Sequence, residues 1–151
     1  MPALTIQLAA PDEIREIQAL VNAAYSKWID VIGGKPRPMT ADYGTLIAQQ
    51  RVYAVREEAE LVAILVMWQE DDALYIDNLA VAPAHQQQGI GDRLLLFAEQ
   101  TAREMNLPAL TLITNEKMLY NQAYYLKHGF VELRRETLAT DRRIVRMQKL
   151  L

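Results

Sequence analysis

Two glycines one residue apart, Gly89 and Gly91, carry the clearest chemical signal in the chain. They follow a β-branched, apolar stretch ending at Val81 and a polar turn that includes Gln86, Gln87 and Gln88. They open a segment whose apolar residues recur at helical spacing. A strand–turn–helix junction of this kind aims several free backbone N–H groups at one point, at the positive end of a helix dipole. Such a point binds an anion, most often a phosphate. Without Cβ atoms, the two glycines let the backbone turn tightly and a ligand approach closely. Two familiar phosphate patterns do not fit. A dinucleotide fingerprint needs a third glycine where Leu94 stands, and a P-loop fails because Gly34-Lys35 is followed by Pro36 and preceded at the first glycine position by Ile29. A phosphate site of another kind and a glycine-rich helix start without a ligand both remain open at this level.

Other reactive side chains are few. Asp77 lies in Tyr75-Ile76-Asp77-Asn78-Leu79, where strict alternation puts Tyr75, Asp77 and Leu79 on one face. Tyr125 shares a helical segment with Tyr120 and Tyr124, and this pattern alone makes it a core aromatic. Arg37 stands between Pro36 and Pro38, which lower the entropy of the free loop. His85, in a turn, and His128, beside Gly129, are too far apart to suggest a metal site and are expected as capping or solvent-facing groups. No metal is expected. The absence of cysteine excludes disulfides, thiolate zinc sites and a cysteine nucleophile, and the only serine, Ser26, lacks a nucleophile-elbow context. Arg134-Arg135 and Arg142-Arg143 read as a solvated hairpin face.

These residues need elements to hold them. The length of 151 residues, 51% hydrophobic and 23% charged, suits one domain spanning 1–151 with a single core. A formal charge of −3 gives no electrostatic footprint for nucleic acid, and no apolar run is long enough to span a bilayer. The first residues lack the basic-then-apolar pattern of an export signal, so a cytoplasmic location is expected. Thr5 to Leu8 alternate as a strand; Pro11-Asp12-Glu13 starts a helix continued by Ile14, Ile17, Leu20, Val21 and Ala24. Ile29 to Pro38 reads as a loop, and Thr40 as the cap of a second helix towards Gln50. Arg51–Arg56 and Leu61–Trp68 form a hairpin, Ala73–Val81 a further strand, and Gly89–Met105 a helix. Ala109–Thr114 is a buried strand, Met118–His128 a helix stopped by Gly129, and Phe130–Thr137 with Arg142–Leu150 a closing hairpin. The order β-α-α-β-β-β-α-β-α-β-β predicts an α/β fold with a mixed sheet and helices on both faces.

Gln86-Gln87-Gln88-Gly89-Ile90-Gly91 resembles the Q/R-x-x-G-x-G/A signature of the GNAT superfamily of N-acetyltransferases. Asn121-Gln122-Ala123-Tyr124-Tyr125-Leu126-Lys127-His128-Gly129-Phe130 resembles that family's second signature, N-x-x-x-Y-x-K-x-G-F, and the element order also fits. Where many members carry Arg or Gly among Gln86 to Gln88, this chain has three glutamines, which leaves a pyrophosphate more dependent on backbone N–H groups. The resemblance implies a mostly antiparallel GNAT-type sheet and acetyl-CoA as donor. It implies that the backbone of Leu79, Ala80 and Val81 pairs with the pantetheine arm like an added strand, beside a bulge that splays this strand from the next. Gln87, Gln88, Gly89, Ile90, Gly91 and Asp92 would wrap the pyrophosphate, Gln86 would join them in the cofactor site, and Asn121 would hydrogen-bond the pantetheine.

By the same resemblance Tyr125 lies near the thioester sulfur as general acid. Asp77 is the candidate general base, directly or through a water, with substrate binding as its other role. The loop holding Arg37 walls the acceptor site; Arg37 is the expected substrate-binding residue, meeting with Lys35 a carboxylate or phosphate on the acceptor, and a rigid exposed loop is the other reading. The expected function is acetyl transfer from acetyl-CoA to a small-molecule or peptide amine by direct attack in a ternary complex, with no nucleic-acid or membrane partner and a homodimer left open. The rival expectations are a non-catalytic acyl-CoA-binding or sensor domain of the same fold, and a nucleotide- or phosphate-binding module of another α/β class.

Overall fold

The computed structural model describes residues 3–138 and 142–151. Among them, seven strands form one sheet: β1 (Leu4–Leu8), β2 (Val52–Glu57), β3 (Glu60–Glu70), β4 (Ala73–Val81), β5 (Ala109–Asn115), β6 (Val131–Leu138) and β7 (Arg142–Leu150). Their spatial order is β1-β2-β3-β4-β5-β7-β6. Every pairing is antiparallel except β4–β5. A parallel pair needs a crossover, and α4 (Ile90–Glu104) supplies it. The other helices are α1 (Ile14–Tyr25), the single turn α2 (Ile29–Ile32), α3 (Tyr43–Ala48) and α5 (Leu119–Lys127).

Helices cover both faces, as the apolar spacing predicts. Leu94, Leu95, Ala98 and Ala102 of α4 pack with Leu65, Ile76, Leu110, Leu112 and Met147 on one side. Ile17, Leu20, Val21 and Ala24 of α1 and Tyr43 and Ile47 of α3 pack with Val52, Ile64, Val66 and Ala80 on the other. Among the described residues no helix is long and apolar enough to cross a membrane.

The segment read as a loop from Ile29 to Pro38 is partly helical. Ile29–Ile32 makes one turn that Gly33 closes in the left-handed region (φ 80°), where a Cβ is unfavourable. The cap of α3 is Asp42, not Thr40. The Asp42 carboxylate accepts from the Thr45 backbone N–H at 3.1 Å and the Thr45 hydroxyl at 2.8 Å, while the Thr40 hydroxyl donates to the Arg37 carbonyl at 3.1 Å. A carboxylate bonded at both oxygens fixes the helix start more firmly than a hydroxyl whose proton is already committed.

The β3–β4 register shifts between Val66, opposite Asn78, and Met67, opposite Ile76. Asp77 is the surplus residue of a bulge. This corrects the expected alternation. Tyr75 faces Trp68 on the α1 side, with ring centroids 5.2 Å apart, whereas Leu79 lies opposite Leu65 and packs on the α4 side. Tyr75 and Leu79 are therefore on opposite faces.

Leu94 is fully buried at the centre of the α4 face. Replacing it with alanine removes apolar burial and leaves a void, so Leu94→Ala is expected to lower the unfolding free energy by about 2–5 kcal/mol. Urea denaturation would register this as a lower midpoint at an unchanged slope.

Candidate active site

The bulge opens the site. β4 pairs with β5 only from Ala73 opposite Ala109 to Ile76 opposite Leu112. Beyond Ile76, β5 continues beside β7 and β4 diverges, leaving the edge from Asp77 to Val81 unpaired on that side. Two cavities flank this slot. One, of about 300 Å³, is lined by Leu79, Ala80, Val81, Gln86, Gln87 and the start of α4. The other, of about 930 Å³, is lined by Arg37, Tyr75, Asp77, Asn78 and Arg142, among others. Tyr25, Leu79, Asn121 and Tyr125 line both, so the cavities meet there.

The smaller cavity is floored by the glycine turn. Gln87 (φ 62°) and Gly89 (φ 82°) are both left-handed, and nothing lies within 4 Å of a Cβ built on Gly89. Among the described residues, no acceptor meets the backbone N–H groups of Gln87, Gln88, Gly89, Ile90, Gly91 or Asp92. These orphan donors lie at the positive end of a 15-residue helix and fit a pyrophosphate. Gly91 has a further reason to be glycine. A Cβ there would lie 2.7 Å from the Tyr124 hydroxyl, which donates to Asp92 Oδ1 at 2.8 Å. His128 Nε2 stands 3.1 Å from the same oxygen, and His85 bonds to Glu60, so each histidine is set against a carboxylate rather than facing open solvent.

Gln86 plays a structural part. Its side-chain amide donates to the Val81 carbonyl at 3.0 Å, so that carbonyl is occupied and the free edge of β4 centres on Leu79 and Ala80. Gln88 donates to the Ala84 carbonyl at 3.4 Å and closes the turn. Asn121 lines the junction of the two cavities, consistent with a group that reaches a ligand in either.

Tyr125 stacks edge-on against Phe130 (centroids 5.5 Å apart) and against Tyr124 (5.4 Å). It is both a packed aromatic and a wall of the site. Burial pushes its phenol up to about 12, so it stays protonated throughout the neutral range. Asp77, partly buried at the bulge, is held above the ordinary carboxyl range by desolvation, against the opposing pull of Arg37, the Tyr75 hydroxyl and Arg142. The Asp77 carboxylate is therefore a stronger proton acceptor than an exposed one.

Three positioning residues were not legible beforehand. The Tyr25 hydroxyl donates to Asn78 Oδ1 at 2.5 Å, Asn78 Nδ2 donates to the Tyr43 hydroxyl at 3.0 Å, and that hydroxyl donates to the Pro38 carbonyl at 2.5 Å. The relay ties α1, β4 and α3 to the loop that carries Arg37. Asn78, only 4% exposed on an apolar strand, was the available hint. Arg142, expected with its neighbours on a solvated face, lines the larger cavity instead. Arg134, Arg135 and Arg143 do pair at the surface, with Glu136, Glu132 and Glu116.

Residues 17–130 match the sequence model described as "Acetyltransferase (GNAT) family". An amino-acid acetyltransferase of Ralstonia nicotianae is 30% identical over 129 residues, covering 76% of this chain and 28% of that protein. An uncharacterized protein of Bacillus subtilis is 29% identical over 76 residues, covering 50% of this chain and 46% of that protein. The chain thus spans less than half the length of these curated relatives. The solved structure of the PaiA N-acetyltransferase of Thermoplasma acidophilum with coenzyme A superposes with a TM-score of 0.80 at 13% identity, covering 99% of each chain. The IAA acetyltransferase of Bacillus cereus gives 0.74 at 20% identity, covering 99% of this chain and 100% of that one. At these identities the two structures establish the shared fold.

The contact at Gly91 can be tested by stability alone. Gly91→Ala places its methyl on the Tyr124 hydroxyl, so the substitution should be more favourable by about 1 kcal/mol in a Tyr124→Phe background than in the native one, the scale of overpacking relieved. A double-mutant cycle by denaturant unfolding measures this coupling, and additivity would show that the hydroxyl moves aside freely.

Proposed function

Because the chain belongs to the acetyltransferase (GNAT) family, we propose that it transfers an acetyl group from acetyl-CoA to an amine by direct attack within a ternary complex. The observation that carries this reading is the meeting of the two cavities at Tyr25, Leu79, Asn121 and Tyr125. A donor reaching along the free edge of β4 and an acceptor entering from the larger cavity would come together there. Acetyl-CoA supplies an activated acyl carbon and a thiolate leaving group. The N–H groups of Gln87 to Asp92 hold its pyrophosphate, the backbone of Leu79 and Ala80 pairs with its pantetheine arm, and Asn121 bonds that arm. No enzyme nucleophile is required. The chain has no cysteine, and the Ser26 hydroxyl donates to the Ala23 carbonyl at 3.3 Å.

Three proton transfers accompany the reaction. The acceptor arrives as an ammonium with a pKa near 10 and must lose a proton before its nitrogen forms the new C–N bond. Asp77, directly or through a water, takes it. As the C–S bond breaks, the sulfur takes the phenolic proton of Tyr125, and the second proton that the nitrogen sheds on becoming an amide restores that phenol. A phenol held at about 12 is always charged with its proton at neutral pH. Arg37 lies beside the acceptor in this arrangement.

Binding comes first in the test. Acetyl-CoA at a hundred times its dissociation constant should stabilise the protein by about 2.7 kcal/mol in thermal melts, with no such shift from ATP or NAD. A shift with ATP or NAD instead of acetyl-CoA would reassign the glycine turn to another phosphate ligand. Chemistry comes second. Tyr125→Phe keeps the ring and deletes the donor, so turnover should fall by roughly 10²–10⁴-fold with acetyl-CoA affinity little changed. Equal turnover would return Tyr125 to the core and favour a non-catalytic acyl-CoA-binding domain.

A further inference from the structure

The larger cavity has an unbalanced charge. Five cationic side chains and three carboxylates line it, on a chain whose formal net charge is −3. Two of the carboxylates are already engaged. Glu116 accepts from Arg143 Nε at 2.9 Å, and Asp42 caps α3 through Thr45. Asp77 alone is left to face Arg37 and Arg142, and both guanidinium groups act on it. Neither arginine forms an ion pair among the described residues, whereas Arg56, Arg143 and Arg146 each pair within 2.9 Å. Arg142 Nε is buried there without a partner among the described residues.

A half-buried guanidinium whose Nε lacks a partner is costly unless an anion meets it. Arg142 is such a group, and the exposed Arg37 adds a second positive charge to the same cavity. Arg37 comes from the proline-flanked loop and Arg142 from the start of β7, so they reach the cavity from different elements. Burial holds the Arg142 guanidinium below its ordinary pKa, and the charge of Arg37 lowers it further. Both act on the carboxylate proposed to meet the reacting amine, which lines the same cavity. A ligand that relieves the whole arrangement offers an anion to the two guanidiniums and a cation to Asp77. A carboxylate suits this better than a phosphate dianion, because the Asp77 carboxylate shares the same two guanidiniums and would repel a doubly charged group more.

Resting on the acetyl-transfer reading above, we propose that the acceptor is an amino acid whose free carboxylate is clasped between Arg37 and Arg142 while its amino group faces Asp77. Guanidiniums bind carboxylates through paired, charge-assisted hydrogen bonds, which fix orientation as well as charge. The clasp sets specificity for the acid and aims its nitrogen towards the junction at Tyr125.

The experiment compares the twenty amino acids with their carboxamides as acceptors, by release of free coenzyme A thiol. The wild-type protein should use at least one acid well above its amide. Arg37→Gln and Arg142→Gln should each lower kcat/KM for that acid by roughly 10- to 100-fold, the scale of hydrogen bonds to a charged group. The acid-to-amide ratio should collapse towards one in both variants. Arg142→Lys should recover part of that ratio. Arg143→Gln, on the same wall but tied to Glu116, should leave the ratio unchanged. Melting curves check that each variant is folded. The proposal is overturned if amides or simple alkylamines serve as well as the acids. It is equally overturned if acetyl-CoA binds and no acid is acetylated, or if the ratio survives both glutamine substitutions. Failure of the acetyl-transfer reading looks different: acetyl-CoA then gives no stabilisation, and no amine of any kind releases thiol.

Discussion

Between Val66 and Met67 of β3 the facing strand supplies one residue more than the pairing can use, and that surplus, Asp77, sets the geometry around it. A bulge bends its strand and strengthens the local twist. Before the bulge β4 is an ordinary interior strand with β3 on one edge and β5 on the other. After it, β4 keeps β3 and loses β5. The same extra residue exchanges the faces of every side chain that follows. Leu79 turns towards α4, and Asn78 turns towards α1 and α3, where it finds Tyr25 and Tyr43. The slot, the buried amide and the carboxyl proposed as the base thus share one cause.

The two ends of the site are built on different electrostatics. On the glycine side the positive character comes from backbone dipoles, fixed by the left-handed conformations of Gln87 and Gly89. Asp92 would compete for those N–H groups, but its carboxylate is engaged by the Tyr124 hydroxyl and the His128 imidazole. On the Arg37 side the charges are mobile side chains around one carboxyl. Rigid dipoles suit a ligand part that never changes, and side chains suit the part that gives the protein its specificity.

Strands and helices were legible because their apolar residues repeat at the expected periods, and β4 was placed at Ala73–Val81 from that pattern alone. The glycine turn was legible because glycine has few other reasons to occur twice at a helix start. The face of Leu79 was not, since alternation cannot reveal an inserted residue; only the partner strand does. Arg142 was missed for a topological reason. Its sequence neighbours make β6 and β7 look like a hairpin at the margin, yet β7 lies between β5 and β6 and carries its first residue to the cavity. The cap at Asp42 was missed because Thr40 and Asp42 are both good caps, and only the backbone decides between them.

The relay from Tyr25 to Pro38 has a direction. Its last acceptor is a backbone carbonyl, which cannot donate, so every proton upstream is committed: Tyr43 gives to Pro38, Asn78 gives to Tyr43, and Tyr25 gives to Asn78. That order also decides which way the amide of Asn78 must point. An aspartate at this position would lose the donor that Tyr43 receives, and a leucine would in addition take from the Tyr25 hydroxyl its nearest acceptor. Phenols at 25 and 43 and an amide at 78 therefore depend on one another: a change at any one of them unpairs a polar group on its neighbour.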